Sequence, residues 1–194
     1  GAGFIGSNIV AALTSDRGRI VAVCDVLGDG GKWRNLAKHA VADIVPPDAL
    51  FELLGDHGGG VEAVVHMGAV TSTAETDTDW ILENNFRLSL DLWDWCTKAG
   101  VPLIYASSAA TYGDGSLGFG DSNDSADLAK LRPLNAYGWS KHLFDRRAVA
   151  LAESAESHPP QWAGLKFFNV YGPNEYHKGR MRSVALQVFE RASS

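Results

Sequence analysis

The sequence has little of what would mark a membrane protein, a nucleic-acid binder or a disulfide scaffold. It holds no apolar run long enough to span a bilayer and no block of basic residues. Its formal net charge is -6, which argues against nucleic acid as a main partner. Only two cysteines occur, Cys24 and Cys96, and neither has a neighbour at metal-ligand spacing, so both are expected to be reduced core residues of a cytoplasmic protein. No cluster of cysteines and histidines suggests zinc, and no metal site is expected. No signal peptide is expected. What is present is 194 residues with 45% hydrophobic content, enough to bury a sizeable core in one domain of ordinary size.

Strand-like apolar runs alternate with helical patterns, the order expected of an α/β fold with a Rossmann-like, doubly wound parallel sheet. The glycine-rich turn Gly1-Ala2-Gly3-Phe4-Ile5-Gly6 leads at once into a helix-like run from Ser7 to Leu13. Glycines there let a dinucleotide pyrophosphate approach the backbone at a helix N-terminus. Residues 19–25 read as a short strand ending in Asp25, where a carboxylate would meet the adenosine ribose. A strand is expected before the glycines. Further strands are expected at residues 40–43, 61–66, 101–107 and 164–169, and helices at 48–54, 80–99 and 136–155. Gly100 should end the second of these helices, and residues 114–131 form the longest loop.

Tyr137 and Lys141 are four residues apart on the last of these helices, so both project from one face. A free tyrosine has a pKa near 10, and lowering it to about 7 takes roughly 4 kcal/mol of differential stabilisation. A fixed Lys141 cation would supply part of that. His66, at the end of an apolar strand, is expected to be packed or hydrogen-bonded. Trp80, Trp93, Trp95 and Trp139 are expected to serve packing.

Taken in order, these motifs resemble the extended short-chain dehydrogenase/reductase family, which includes NAD-dependent epimerases and dehydratases. The residues carrying the resemblance are Gly1 to Asn8, Ser72-Thr73 after residues 66–69, Glu83-Asn84-Asn85, Tyr105 to Gly113, Asn135 to Lys141, and Phe168 to Gly179. The segment ending His177-Lys178-Gly179 is similar to one branch of nucleotide-sugar epimerases, which act on an ADP-linked heptose for the lipopolysaccharide core. Ala109-Ala110 stand where related dehydratases carry an Asp-Glu pair, so elimination of water lacks its acid and base.

The resemblance implies an isomerase that oxidises and re-reduces a sugar carbon, with Tyr137 and Lys178 as the two acid/base groups. It implies Ser108 as the hydrogen-bond partner of the reacting oxygen and Lys141 as the ligand of the nicotinamide ribose. Cofactor contacts carry over to Gly1, Gly3, Phe4, Ile5, Gly6, Asp25, Val26, Lys32, Met67, Gly68, Ala69, Val70, Thr71, Asn84, Tyr137, Lys141 and Val170. Substrate contacts carry over to Ser108, Asn169, Lys178, Arg180 and Gln187. Asp25 by itself favours NAD, whereas Lys32 would offset its charge and the resemblance implies NADP. Residues 1–194 would form the NAD(P)-binding domain, with a substrate-binding region starting after about residue 170 and continuing beyond the chain. The full-length protein is expected to be a homo-oligomer. Another nucleotide-sugar epimerase, such as a UDP-hexose 4-epimerase, or a non-catalytic dinucleotide-binding protein remain the alternatives.

Overall fold

In chain order the elements are α1 (Phe4–Ser15), β1 (Ala22–Cys24), β2 (Asp43–Val45), α2 (Leu50–His57), β3 (Val64–His66), α3 (Thr78–Leu82), α4 (Leu88–Ala99), β4 (Leu103–Ser108), α5 (Ser125–Leu128), α6 (Ala136–Glu153), β5 (Trp162–Phe167) and α7 (Val184–Ala192). The computed structural model describes residues 1–16, 18–154 and 158–193, with backbone only at 57, 58 and 180. It divides into two units, one of Gly1–Gly58 with Asn169–Ser194 and the other of Gly59–Phe168. No helix among the described residues is long and apolar enough to cross a membrane.

In the first unit β1 and β2 pair in parallel, with Val23 opposite Ile44. Ala2, Val10, Val23 and Leu36 form its buried apolar cluster. The strand expected at 40–43 starts later, at Asp43, although the Ala42 N–H already donates to the Val21 carbonyl at 2.8 Å. The turn before α1 closes tightly: a Cβ on Gly6 would lie 2.7 Å from the Gly1 carbonyl oxygen, so only glycine fits.

In the second unit β4 is the middle strand of a parallel sheet ordered β3-β4-β5. Pro102 sits just before β4, where its missing N–H is tolerated and its carbonyl accepts from the Val64 N–H at 2.9 Å. The core gathers Trp93, Cys96, Val101, Leu103, Tyr105, Phe144 and Ala148. Trp93 is fully buried, edge-on to Phe144 at 6.2 Å and to Trp162 at 5.2 Å. Trp95 packs against the same core, but Trp80 and Trp139 are substantially exposed, so packing accounts for only two of the four helical tryptophans.

The helix expected over residues 80–99 begins at Thr78, where the Asp77 side chain caps the Trp80 N–H. A turn of π-helix at Glu83–Arg87 interrupts its hydrogen-bond ladder before α4 resumes. Gly100 ends it at φ 68, the left-handed conformation that glycine adopts without penalty. The long loop after β4 contains one helical turn, α5, capped by Asp124, which accepts from the N–H groups of Ala126 and Asp127.

Truncating the buried ring in Trp93→Ala is expected to destabilise the protein by about 3–5 kcal/mol. Chemical denaturation read by far-UV circular dichroism measures it.

Candidate active site

The end of β4 and the start of α6 meet at very short range. β4 finishes in Ser107-Ser108 and runs into a turn of 3-10 helix at Ala109–Tyr112. A Cβ on Gly138 would stand 2.7 Å from the Ala110 carbonyl oxygen, so glycine at this point of α6 permits the approach. The Asn135 side chain caps α6 by accepting from the Gly138 N–H at 2.8 Å. Ser108 is buried, and its hydroxyl oxygen accepts from the Ala110 N–H at 3.1 Å. Tyr137 is half-buried and Lys141 buried.

Burial pushes the Tyr137 phenol above its ordinary range, while a hydrogen bond with Ser108 pulls the other way. This corrects the expectation that Lys141 holds the phenol down in the chain alone. The physical reason is that the phenolate loses hydration in this site, and the Lys141 ammonium is itself desolvated. Burial lowers Lys141 to about 8, against a smaller upward pull from Asp145. His66 is driven down to about 3 by burial and then by Lys141, and its ring lies 3.0 Å from the Ser89 hydroxyl, the packed and hydrogen-bonded state expected of it.

The loop after β3 carries Met67, Gly68, Ala69, Val70 and Thr71. Its anchor is Asn85, not Asn84. The buried Asn85 amide accepts from the Val70 N–H at 2.8 Å and donates to the Val70 carbonyl at 3.0 Å and to the Ser140 hydroxyl at 3.0 Å. Asn84 instead donates to the Trp80 carbonyl one turn back, at 2.9 Å. The π-helical turn that holds both residues gives Asn85 the inward direction.

In the other unit, Gly1, Gly3, Phe4, Ile5 and Gly6 form the turn into α1. Gly3 occupies the N-cap position, with no side-chain cap and no acidic residue in the first turn, leaving the N-terminal N–H groups of α1 without a side-chain acceptor. A Cβ on Gly3 would meet no atom within 4 Å. The Asp25 carboxylate accepts from the Ala2 N–H at 2.5 Å and pairs with Lys32 at 2.6 Å. Val26, next to it, is 62% exposed.

The Lys178 ammonium lies 5.2 Å over the Phe4 ring, on the turn that starts α1. The backbone holding Lys178 is fastened by Glu175, which accepts from the N–H of Gly172 at 2.9 Å, the N–H of Ser183 at 2.6 Å and the hydroxyl of Ser183 at 2.9 Å. Asn169 is exposed and Val170 half-buried. Gln187 spends its amide donor on the Arg182 carbonyl at 2.8 Å. The Arg180 side chain lies outside the described residues.

The model of the NAD dependent epimerase/dehydratase family matches residues 1–194, and the chain belongs to that family. It is 44% identical over 193 residues to an ADP-L-glycero-D-manno-heptose-6-epimerase of Fusobacterium nucleatum, covering 98% of this chain and 57% of that protein. The chain thus spans a little over half the length of that relative. Its fold is similar to the crystal structure of the Helicobacter pylori ADP-L-glycero-D-manno-heptose-6-epimerase, with a TM-score of 0.77 and 25% identity, covering 96% of this chain and 59% of that one. It is also similar to a Thermus thermophilus UDP-glucose 4-epimerase solved with NAD, with a TM-score of 0.66 and 28% identity, covering 89% and 54% of the two chains.

Asn85, Glu175 and Asp145 were not singled out by the sequence. Asn85 lay inside a motif credited to its neighbour. Asp145 had a readable signal: it follows Tyr137 and Lys141 at successive intervals of four along one helix.

Two outcomes are expected. Gly138→Ala forces a backbone contact apart and is expected to lower both stability and activity, read by the unfolding midpoint and by turnover of the full-length protein. For Lys141, the folded pKa of about 8 lies below the unfolded 10.5, so the unfolded chain binds more protons between these values and stability rises with pH there. Lys141→Met should remove that rise, of the order of 3 kcal/mol, from denaturation midpoints of the cofactor-free protein compared at pH 7.5 and pH 10.5.

Proposed function

We propose that the full-length protein is an ADP-heptose 6-epimerase that inverts C6 of ADP-D-glycero-D-manno-heptose for lipopolysaccharide core assembly, using a retained nicotinamide dinucleotide. The observation that carries the reading is the seating of Tyr137 and Lys141 on α6 beside Ser108, in a chain so similar to named heptose epimerases. The chain covers 57% of the Fusobacterium nucleatum relative, so the activity is assigned to a protein of that relative's length.

The residues present fit a dinucleotide. The uncapped N–H groups of α1 suit its phosphates, the glycines leave the backbone open to them, and Asp25 stands after β1 where a ribose hydroxyl would be bound. Met67 to Thr71, Asn84, Tyr137, Lys141 and Val170 are assigned to the same ligand. Bound to these groups, the dinucleotide supplies a hydride acceptor that can return what it takes.

The chain's own residues do the rest. A carbinol carbon is not acidic, so inversion by direct proton abstraction is closed to it. Tyr137 takes the hydroxyl proton on one side of the carbon, Ser108 holds the reacting oxygen, and Lys178 is the acid/base for the opposite side. Asn169, Arg180 and Gln187 are assigned to the substrate. The residues at 109 and 110 are both alanine, which supports epimerisation over elimination.

We assign NADP rather than NAD. The support is Lys32, whose ammonium neutralises the Asp25 carboxylate at 2.6 Å and would lessen its repulsion of a 2′-phosphate.

The test is to incubate the full-length protein with ADP-D-glycero-D-manno-heptose, without added nicotinamide, and to follow C6 by NMR. Inversion is expected; no inversion with dinucleotide bound would move the assignment to another nucleotide sugar, a UDP-hexose among them. Tyr137→Phe and Lys178→Met are each expected to lower kcat by roughly 10²–10⁴-fold. Dinucleotide released by denaturing the purified protein should carry the 2′-phosphate, which mass spectrometry decides.

A further inference from the structure

Asp145 is a buried carboxylate that the proposed chemistry leaves without a task. It lies on α6 one turn beyond Lys141 and two beyond Tyr137. One of its oxygens accepts from the Ser107 hydroxyl and from the Lys166 ammonium, each at 2.6 Å; the other accepts from the Tyr105 hydroxyl at 3.1 Å. Lys166, on β5, also donates to the Thr111 hydroxyl at 2.9 Å. The Thr111 hydroxyl in turn donates to the backbone carbonyl of Ser108 at 2.8 Å. A continuous run of hydrogen bonds therefore joins α6, β5 and the turn after β4, and it ends on the serine assigned to the reacting oxygen.

We propose that Asp145 and Lys166 are a positioning pair that fixes Ser108 relative to Tyr137 and Lys141. This rests on the acid/base reading given under Proposed function. A buried ion pair is a poor device for stability alone, because desolvating two charges consumes most of what their attraction returns, and apolar residues of similar volume often serve as well. Its distinctive property is direction. Asp145 fixes the rotation of α6 about its axis through Ser107 and Tyr105, and Lys166 fixes the turn through Thr111. Misplacement of a reacting group by about 1 Å can cost on the order of 100-fold in rate. Asp145 also favours the charged form of Lys141, and His66 on β3, driven down to about 3, is neutral near pH 7.

The full-length protein provides the test. Wild-type conversion of the heptose substrate is measured first, and its absence would overturn the epimerase reading without touching the pair. Asp145→Leu with Lys166→Met replaces the charges by apolar side chains. We expect it to fold with bound dinucleotide and an unchanged KM while kcat falls by about 10- to 100-fold. Thr111→Val, a milder change that removes the hydroxyl joining Lys166 to Ser108 and leaves the Asp145–Lys166 pair in place, is expected to lower kcat in the same sense with KM unchanged. A folded double variant, or Thr111→Val, that keeps the wild-type kcat would overturn the proposal. The ¹⁵N NMR titration of Lys141 is a readout independent of substrate: Asp145→Asn should lower the midpoint from its wild-type value, and an unmoved midpoint would count against the pair.

Discussion

The second unit depends on one close approach, that of α6 to the turn after β4. Gly138 permits it, since any side chain there would press on the Ala110 carbonyl, and Asn135 fixes the first turn of the helix. Once α6 is seated, Tyr137 faces Ser108, Ser140 reaches Asn85, Lys141 is taken out of water, and Asp145 meets Ser107. These contacts come from β4, its following turn and the π-helical turn before α4. None could be kept if the helix stood back by the width of a methyl group. The site is thus a consequence of packing geometry before it is one of chemistry.

Electrostatics follow from that seating. Burial lowers the pKa of Lys141 to about 8 and raises that of Tyr137, so near neutral pH the amine stays mostly charged while the phenol keeps its proton in the chain alone. Asp145 restores part of the Lys141 charge. In the first unit the ordering works differently. There Glu175 gathers backbone N–H groups from both sides of the segment containing Lys178, and Asp25 is shared between the Ala2 N–H and Lys32. The Glu175 carboxyl is held below its ordinary range: burial opposes this, but the hydrogen bonds from Ser183 and Gly172 outweigh it.

The parallel α/β character was legible because apolar runs alternate with helical periodicity along the whole chain, and Gly100 acts locally, through left-handed backbone; the Asp77 cap that starts the helix two residues earlier than expected was not read. Strand limits were less so. β3 and β4 start later than their apolar runs suggest, because pairing, set by neighbours such as Pro102, determines where a strand begins. The interruption of the long helix at Glu83–Arg87 left no mark in periodicity, and with it went the distinction between Asn84 and Asn85. Trp80 and Trp139 have the apolar character of core residues but fall on outward faces. The Asp145 network was hidden for a different reason: its members lie up to 61 residues apart in sequence, from Tyr105 to Lys166, and only the strand register brings them together.

The chemical account turns on whether the hydrogen at the inverted carbon travels as hydride or is exchanged as a proton. In the proposed function Tyr137, Ser108 and Lys178 are assigned to protons on oxygen, never on carbon. The decisive measurement is to let the full-length protein convert ADP-D-glycero-D-manno-heptose in D₂O and to examine the product at C6. The account predicts inverted product with the original hydrogen retained at that carbon. Deuterium incorporated at C6 would show that the carbon itself is deprotonated, and would contradict it.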